Sequence, residues 1–505
     1  KQFTTPSKTL EDQLSEYICP AYVDDYVSMA GWDQRANWNL ANVHDPSVMK
    51  AADGYYYMYQ TDASYGNAHD GHGHFHARRS KDLVNWEYLG ATMQEAPAWV
   101  KTKLNEIRAE QGLAPIENPS YGYWAPCARK VNDHLYRMYY CIVVNNYIKT
   151  GGRTYDGSWT ERAFIGVMET SDPASNNWED KGFVICSSSD KGTNWNRASE
   201  GDWNAYFKFN AIDPSFIITP EGEHWLIYGS WHSGIAAVQL NPETGKTLVE
   251  LPKSYGTAAE IAPYGKLIFT RTNGGRWQGA EAPEIVYHDG YYYLFLAYDG
   301  LDIPYNTRVL RSTKVDGPYE TLNGAVTDAS KGANNNPTVL THPYKFSEGY
   351  GWVGISHCAV FDDGNGNWYY ASQQRFPANV GGNAYSNAIM MGGVRSIQWE
   401  SNGWPTVMPE RYGAVPQASI SESELVGAWE HIDLSYSYGN QRTASEMVLG
   451  DDHKITSGAW KGAAWSFNAQ TNTLTCNGVE LKVQREVDWE ASPRKVTIVY
   501  SGLNG

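Results

Sequence analysis

The most regular feature of the chain is a repeated alternation of apolar and turn-forming positions. A short apolar or β-branched segment is followed by a turn rich in Asp, Gly, Glu or His, and the turn leads into an aromatic strand. Two strands joined by a Gly-containing turn make a β-hairpin. The pattern therefore predicts one hairpin type in five copies, whose aromatic strands fall within 53–59, 135–140, 222–228, 289–295 and 367–370.

The five hairpins are roughly 70 to 90 residues apart, which suggests the blades of a propeller. In a propeller the innermost strands line a central channel, so residues at the start of those strands converge from every blade. We therefore predict an all-β fold, with a five-bladed β-propeller over residues 1–414.

Four segments precede, interrupt or follow the blade pattern. Residues 1–40 predict a short helix (Leu10 to Tyr17) and an irregular stretch that wraps onto the first blade, and residues 94–112 predict a helical insertion. A polar loop from Ser187 to Asn204 is expected to shape a cleft. Beyond Gly413 the aromatic pattern stops, and short alternating strands predict a small antiparallel β-barrel or sandwich domain over 415–505.

Composition narrows the choice of partner. Aromatic residues make up 14% of the chain, with 20 Trp and 36 Tyr, which serves packing between sheets or provides flat platforms for sugar rings. The net charge of −16 disfavours a nucleic-acid partner, because no basic field replaces the counterions of phosphates. No apolar run is long enough to span a membrane. A neutral substrate and a monomeric protein fit these data best.

Six cysteines are scattered without the spacing of zinc or redox motifs. Cys127 and Cys141 fall in the two strands of one predicted hairpin, so either a disulfide or two buried thiols is possible. The chain shows no signal peptide and begins with Lys1, so we expect a processed or trimmed start and a secreted, periplasmic or cell-surface location.

Three carboxylates recur near the start of the apolar segments: Asp45, Asp213 and Glu281. Hydrolysis of a glycosidic bond needs two carboxyl groups in different protonation states, and a third acid nearby raises the pKa of the proton donor. Asp45 suits an exposed base, and Glu281, with its longer side chain, suits the proton donor. Asp213 is left as the residue that modulates the pKa of that donor. The alternative is that these acids only begin strands at turns, where Asp is common.

A histidine-rich loop, residues 67–76, carries four His within eight residues. Alternate spacing would place His72, His74 and His76 on one side of a strand. A metal cluster is one interpretation, but no cysteine or carboxylate is spaced to complete it. A solvated or substrate-flanking loop is the preferred interpretation.

The chain resembles glycoside hydrolase family 43, and within it the arabinanases. The resemblance covers about residues 40–410, and its five blade markers appear in order. They are His44-Asp45-Pro46, Trp124-Ala125-Pro126, Ala211-Ile212-Asp213-Pro214-Ser215 with Tyr228-Gly229-Ser230, Glu281-Ala282-Pro283 and Ser356-His357.

The resemblance implies a five-bladed propeller that hydrolyses α-1,5-L-arabinan with inversion, most simply as an endo-acting enzyme. Asp45 would be the general base that activates water, Glu281 the general acid, and Asp213 the residue that tunes and orients that acid. Inversion also implies that Asp45 and Glu281 are far enough apart to admit a water.

The resemblance further implies a calcium or similar ion near the propeller axis, associated with His357 and held largely through water. Trp124 and Ser230 would line the sugar subsite next to the cleavage point, although packing is the alternative for Trp124. Arg375 would hydrogen-bond a sugar hydroxyl, with a surface ion pair as its alternative. The small C-terminal domain resembles the one that follows the propeller in some larger endo-arabinanases.

Other functions remain open from the sequence. The same machinery occurs in exo-acting arabinanases, α-L-arabinofuranosidases and β-xylosidases, which are distinguished by their products. A carbohydrate-binding propeller without hydrolysis would bind arabinan without turnover, and a protein-interaction propeller would leave the three acids without a purpose.

Overall fold

The computed structural model describes residues 7–21, 26–110, 113–145, 147, 149–150, 153–154, 160–188, 208–252, 262–272, 277–327 and 331–503. Antiparallel strands dominate these residues, which confirms the predicted all-β class. Nearly all of the predicted Ser187–Asn204 loop lies outside the described residues.

Helices are a minor part of the described structure. The α-helices are α1 (Leu10–Glu16), α2 (Tyr26–Met29) and α3 (Ala98–Glu110). Thr9 caps α1 by accepting the Asp12 N–H at 3.1 Å. Helix α3 buries Val100, Leu104 and Ile107, which share one face at helical spacing. Short 3₁₀ turns occupy Trp32–Asn37, Tyr65–Asn67, Pro173–Ser175, Ala262–Tyr264, Ser386–Ala388 and Glu422–Leu425.

The first three sheets of the described chain each have four antiparallel strands. Sheet 1 contains β1 (Ser47–Lys50), β2 (Tyr56–Tyr59), β3 (His74–Ser80) and β4 (Glu87–Met93). Sheet 2 contains β5 (Tyr121–Asn132), β6 (Leu135–Val144), β9 (Arg162–Thr170) and β10 (Glu179–Cys186), with the short pair β7 (Lys149–Thr150) and β8 (Arg153–Thr154) between them in sequence. Sheet 3 contains β11 (Ser215–Ile218), β12 (His224–Tyr228), β14 (Ile235–Leu240) and β15 (Lys266–Phe269).

Two further sheets continue the series. Sheet 4 contains β13 (Ser230–His232), β16 (Trp277–His288), β17 (Tyr291–Tyr298), β18 (Asn306–Ser312), β19 (Tyr319–Glu320), β20 (Val326–Thr327) and β21 (Thr338–Thr341). Sheet 5 contains β23 (Val353–Asp362), β24 (Trp368–Arg375), β25 (Met390–Trp399) and β26 (Pro405–Val407). The five predicted hairpins fall within these five sheets of the described chain.

The turns of two of these hairpins depend on glycine. Gly54 between β1 and β2 has a φ of 86°, and Gly290 between β16 and β17 has a φ of 88°. A side chain is strained at such angles, so glycine is the residue that lets each apolar strand turn back sharply into its aromatic partner.

The strands β1, β5, β11, β16 and β23 meet one another. β1 contacts β5, β5 contacts β11, β11 contacts β16, β16 contacts β23, and β23 contacts β1. Polar side chains join them: Glu284 of β16 accepts hydrogen bonds from Arg129 of β5 at 2.6 Å, from Ser215 of β11 at 2.6 Å and from the Val360 N–H of β23 at 3.0 Å. The Ser47 Oγ of β1 accepts the Ala128 N–H next to Arg129. One buried carboxylate thus links strands of four sheets.

Aromatic side chains fill the spaces between sheets. Tyr57, Tyr139 and Tyr228 are fully buried, and Tyr139 and Tyr228 donate hydrogen bonds from their hydroxyl groups to backbone carbonyls. A buried tyrosine needs such a partner for its hydroxyl group. Packing therefore accounts for these aromatic residues.

The last part of the chain forms separate small sheets. They contain β27 (Gly427–His431), β29 (Ser445–Leu449), β30 (Ile455–Gly458), β31 (Trp465–Asn468), β32 (Thr473–Cys476), β33 (Val479–Asp488) and β34 (Lys495–Ser501). The short strand β22 (Tyr344–Lys345) pairs in parallel with β28 (Arg442–Thr443) and joins this region to the preceding sheets. Tyr436 donates a hydrogen bond to Asp299, at the end of β17, at 2.6 Å.

The six cysteines are free thiols, and all except Cys19 are buried. Cys127 accepts the Phe216 N–H at 3.4 Å, and Cys141 lies 3.8 Å from the Ala125 carbonyl. Of the two alternatives for Cys127 and Cys141, the structure therefore has two buried thiols. Among the described residues, no helix combines the length and apolar character needed to cross a bilayer.

Candidate active site

A left-handed backbone turn recurs in or just before β1, β5, β11, β16 and β23. The residues are Asp45 (φ 50°), Ala125 (41°), Asp213 (55°), Ala282 (57°) and His357 (57°). A non-glycine residue with positive φ is uncommon and unfavourable. Its recurrence at equivalent places indicates that the fold imposes the same bend on all five strands. Four of these residues precede a proline, and these prolines are the part of the repeat that can be seen in the sequence.

The equivalence of the three carboxylates is only partial. Asp45 and Asp213 occupy the left-handed position, whereas Glu281 stands one residue earlier and Ala282 takes the left-handed position in its strand. The Ala282 N–H donates to Asp213 Oδ2 at 3.0 Å, so the bend serves to hold the neighbouring acid. The offset agrees with the sequence, in which Glu281 stands two residues before its proline and Asp45 and Asp213 stand one residue before theirs.

Asp45 is held by three partners from sheets 1 and 5. Its Oδ2 accepts a hydrogen bond from Thr61 at 2.7 Å, its Oδ1 lies 2.9 Å from His357 Nδ1, and its N–H donates to Gln373 Oε1 at 2.9 Å. Burial alone would raise the pKa of Asp45, but attraction to His357 and His44 and the hydrogen bonds from His357 and Thr61 outweigh it. The pKa lies well below the usual range, so Asp45 is a carboxylate.

His357 is the positive partner of the carboxylates. Burial alone would lower its pKa, but attraction to Asp45, Asp213 and Glu281 raises it to about 9. The imidazole therefore carries a proton at neutral pH and balances part of the negative charge of the site.

Glu281 accepts hydrogen bonds from two hydroxyl groups. Ser230 Oγ donates to Oε2 and Tyr305 Oη donates to Oε1, both at 2.8 Å. Ser230 lies opposite Glu281 in the pairing of β13 with β16. Burial raises the pKa of Glu281 and exceeds the opposing effect of the two hydroxyl donors and of His357.

Asp213 is buried beside Glu281 and titrates together with it. Burial is the main reason that its pKa is raised to about 8, and repulsion from Glu281 and Asp45 adds to the effect, against attraction to His357. Like charges in a buried site resist simultaneous ionisation. Asp213 and Glu281 therefore hold at least one proton between them at neutral pH, while Asp45 holds none.

The predicted sugar-binding residues surround these acids. Trp124 is partly exposed and precedes Ala125, whose N–H donates to Thr61 Oγ1 at 2.7 Å. Arg375 is 7% exposed, so it is not part of a surface ion pair, and Asp45 is among the charges that act on it. Ser230 is buried and its hydroxyl group donates to Glu281. All the predicted site residues thus lie around one group of acids.

Sequence reasoning missed Thr61, Tyr305 and Gln373, which hold Asp45 and Glu281. A signal for Thr61 was present: Tyr59-Gln60-Thr61 ends the second strand of sheet 1 just as Tyr228-Gly229-Ser230 ends that of sheet 3. Tyr305 follows β17 in a loop without a repeated pattern, so nothing in the sequence marked it.

The histidine-rich loop is not a metal cluster in the described structure. The rings of His69 and His76 stack at 4.1 Å and are 2% and 1% exposed, so the solvated interpretation is wrong for these two. His72 is exposed and stacks on Trp32 at 3.6 Å. His74 packs elsewhere, against Tyr123 at 3.4 Å. The loop therefore divides into separate aromatic contacts.

The donor atoms around His357 limit the kind of ion that fits there. Its Nδ1 is engaged with Asp45 and the ring carries a proton at neutral pH, so neither ring nitrogen is free to ligate an ion directly, and calcium takes six to eight ligands, mostly oxygen. The site fits an ion whose shell is mostly water, and does not fit one caged by protein oxygens. Within the described residues, a group of three close ligand atoms is formed by Glu410, Asp488 and Glu490, and it does not include His357.

Comparison with known proteins gives relatives over nearly the whole chain. An extracellular endo-α-(1→5)-L-arabinanase of Thermotoga petrophila is 26% identical over 94% of this chain and 93% of its own. Extracellular endo-α-(1→5)-L-arabinanase 2 of Bacillus subtilis is 24% identical over 93% and 92%. An extracellular exo-α-(1→5)-L-arabinofuranosidase of Cellvibrio japonicus is 26% identical over 72% of this chain and 86% of its own.

Solved structures share the fold. The crystal structure of the Thermotoga petrophila endo-1,5-α-L-arabinanase matches with a TM-score of 0.66 and 23% identity, over 92% of this chain and 99% of that one. Residues 409–505 match the C-terminal lipocalin-like domain, and residues 40–405 match the glycosyl hydrolases family 43. The chain therefore belongs to glycosyl hydrolase family 43.

Proposed function

We propose that this protein is an endo-acting α-1,5-L-arabinanase that hydrolyses arabinan with inversion at the anomeric carbon. The observation that carries the proposal is the pairing of opposite protonation states in one site. Asp45 is ionised beside His357, whereas burial keeps a proton on the pair of Asp213 and Glu281. Single-displacement hydrolysis needs such a base and such an acid.

In the proposed mechanism, Asp45 accepts a proton from a water as that water attacks the anomeric carbon. Glu281 gives its proton to the leaving glycosidic oxygen, so one bond forms as the other breaks and no covalent sugar intermediate arises. Thr61 and His357 keep Asp45 anionic, and Ser230 and Tyr305 fix the two oxygens of Glu281. Asp213 helps Glu281 retain its proton until the transition state.

Trp124 and Arg375 are proposed to hold the sugar that is attacked. Trp124 is partly exposed next to the Thr61–Asp45 contact, and an aromatic face suits the apolar face of a sugar ring. Arg375 is a buried donor under the influence of Asp45. Ser230 would share its hydroxyl group between Glu281 and the sugar, since a hydroxyl both donates and accepts.

Endo action is favoured over exo action by the share of this chain that the relatives match. The two endo-acting relatives given above match 93% or more of this chain, including its C-terminal region, whereas the exo-acting relative matches 72%. The products of the reaction distinguish the two modes.

The proposed architecture is a five-bladed β-propeller over residues 1–414 and a small β domain over 415–505. The cyclic contacts of β1, β5, β11, β16 and β23 support closure of the propeller. A cavity of about 630 Å³ supports it further, because it is lined by the far ends of these five strands, away from Asp45. The cavity would be one mouth of the central channel, and the catalytic acids would stand at the other.

A water-rich calcium or similar ion is proposed beside His357, where its charge would favour the carboxylate form of Asp45. Secretion is proposed because the relatives from Thermotoga petrophila and Bacillus subtilis are extracellular proteins. We propose a monomer in solution, which size-exclusion chromatography with light scattering would test.

The products released from linear and branched arabinan over time test the function. We expect wild type to release mixed oligosaccharides early, and Glu281→Gln to lose about 10²- to 10⁴-fold in kcat, the range for a lost acid catalyst. Glu243→Gln, an exposed Glu in a turn after β14, is the control and should match wild type. Arabinose alone from the first time point would indicate exo action, and binding without turnover would contradict hydrolysis.

A further inference from the structure

His74 forms a fixed pair with a carboxylate. Its Nδ1 lies 2.5 Å from Asp62 Oδ2, and the second oxygen of Asp62 accepts the Phe75 N–H at 2.8 Å. The imidazole also stacks on Tyr123 at 3.4 Å, with an angle of 7° between the rings. The stacking on Tyr123 therefore fixes the plane of the imidazole ring, and the contact with Asp62 fixes its rotation within that plane.

A strained residue creates this arrangement. Phe75 follows His74 with a φ of 51° and is fully buried. Left-handed backbone is unfavourable for a residue with a Cβ atom. The left-handed turn at Phe75 directs its N–H toward Asp62. The Phe75 backbone and the His74 side chain therefore both contact the same carboxylate.

The pair stands at the catalytic end of sheets 1 and 2. Asp62 follows Thr61, which donates to Asp45, and the Asp62 N–H donates to the Tyr123 carbonyl at 3.1 Å. Tyr123 in turn precedes Trp124. His74 is thus connected to the proposed base and to the proposed sugar platform by adjacent residues.

His74 differs from its neighbours in the same loop. The side chains of His74 and Asp62 are each 23% exposed, whereas His69 and His76 are buried. His74 Nε2 makes no hydrogen bond within the described residues, and it lies on the ring edge opposite the one that Asp62 occupies. A carboxylate that accepts the Nδ1 proton leaves Nε2 as an acceptor in the neutral ring.

We propose that His74 binds a hydroxyl group of the substrate through Nε2, with Asp62 and Tyr123 as the residues that position it. A sugar hydroxyl group both donates and accepts, so it pairs with the ring nitrogen in either protonation state. The ligand class is a neutral polyhydroxyl chain that occupies the cleft beside Trp124. The inference rests on the proposed function and adds a substrate contact to it.

The test compares His74→Phe with wild type in steady-state hydrolysis of linear arabinan. Phenylalanine keeps a ring against Tyr123 and removes the nitrogen. We expect KM to rise about three- to tenfold, the size of one hydrogen bond, with kcat within twofold, because the contact binds ground state and transition state alike. His74→Gln places an amide there that can bind a hydroxyl group, so its KM should lie between the KM of wild type and that of His74→Phe.

His72→Phe is the matched control, since His72 also stacks on an aromatic ring but on Trp32, and it should keep the wild-type KM. An unchanged KM in both His74 variants would overturn the inference and leave the proposed function intact. A fall in kcat at constant KM would also overturn it, since His74 would then act through Asp62 and Thr61 on Asp45. Absence of turnover by wild type would overturn both proposals.

Discussion

The Nδ1 of His357 lies 2.9 Å from Oδ1 of Asp45, so the first and last of the five sheets meet in one charged contact. The contact gives a cation to Asp45, whereas the partners of Glu281 are two neutral hydroxyl groups. Asp45 is consequently ionised while the pair of Asp213 and Glu281 keeps a proton. Removing the partners of Asp45 should therefore move the acidic limb of the pH profile, and removing the partners of Glu281 should move the basic limb.

Removing the Thr61 hydroxyl group should raise the pKa of Asp45. Thr61→Val deletes a hydrogen bond that favours the carboxylate form. We expect the acidic limb of the kcat/KM profile to move to higher pH and kcat to fall about tenfold, less than the 10²- to 10⁴-fold typical of losing the base itself. Thr244→Val, in an exposed turn, should leave the profile unchanged. An acidic limb that stays in place would contradict this role for Thr61.

Tyr305→Phe should act on the basic limb instead. Tyr305 and Ser230 both lower the pKa of Glu281 by donating to its oxygens. Either Tyr305→Phe or Ser230→Ala should raise that pKa, move the basic limb to higher pH and reduce kcat because the acid is less well oriented. The measurement is kcat/KM against pH for both variants. A shift toward lower pH in either variant would show that the hydroxyl group does not stabilise the carboxylate.

The C-terminal region should stabilise the sheet that carries Glu281. Tyr436 donates to Asp299, which also accepts from Arg271 at 2.9 Å and from Asn306 at 3.0 Å. Tyr436→Phe should lower the free energy of unfolding by about 1 kcal/mol, the size of one hydrogen bond. Tyr438→Phe is the matched control because Tyr438 is exposed. Equal losses in both variants, measured by denaturant unfolding, would contradict a specific contact.

The proposed ion should depend on His357. After dialysis against a low concentration of calcium, elemental analysis should find about one ion per chain in wild type and less in His357→Ala. His453→Ala, an exposed histidine of the C-terminal region, is the control and should keep its ion. Loss of the ion in Glu410→Gln but not in His357→Ala would place it at the acidic group near the start of the C-terminal region.

Much of the fold was predictable because the hairpin signals are local. Aromatic strands mark all five hairpins and Gly turns mark four of them, and prolines follow four of the five left-handed residues. Asp45 and Asp213 could be found because their neighbours repeat. Glu281 could be found from the same proline pattern, but the positive φ at Ala282 could not, because the sequence shows the proline and not the backbone angle of the residue before it.

The remaining partners depend on contacts between distant segments. Tyr305 and Gln373 reach Glu281 and Asp45 from loops and strands whose direction no local pattern fixes. The same holds for Glu284, which looked like one more polar residue after Pro283 and proves to hold Arg129, Ser215 and the Val360 N–H. Histidine spacing alone likewise did not separate the buried His76 from the accessible His74.

The hydrogen bonds of Glu284 also bear on the order of events during synthesis. Ser215 and Arg129 are synthesised before Glu284, but Val360 is synthesised after it. Val360 lies in β23, the first strand of sheet 5, and so does His357, the partner of Asp45. Domains form as their chain emerges from the ribosome. A nascent chain that ends before β23 lacks both the last link to Glu284 and the cation that keeps Asp45 ionised, so the group of acids is incomplete until β23 has been made.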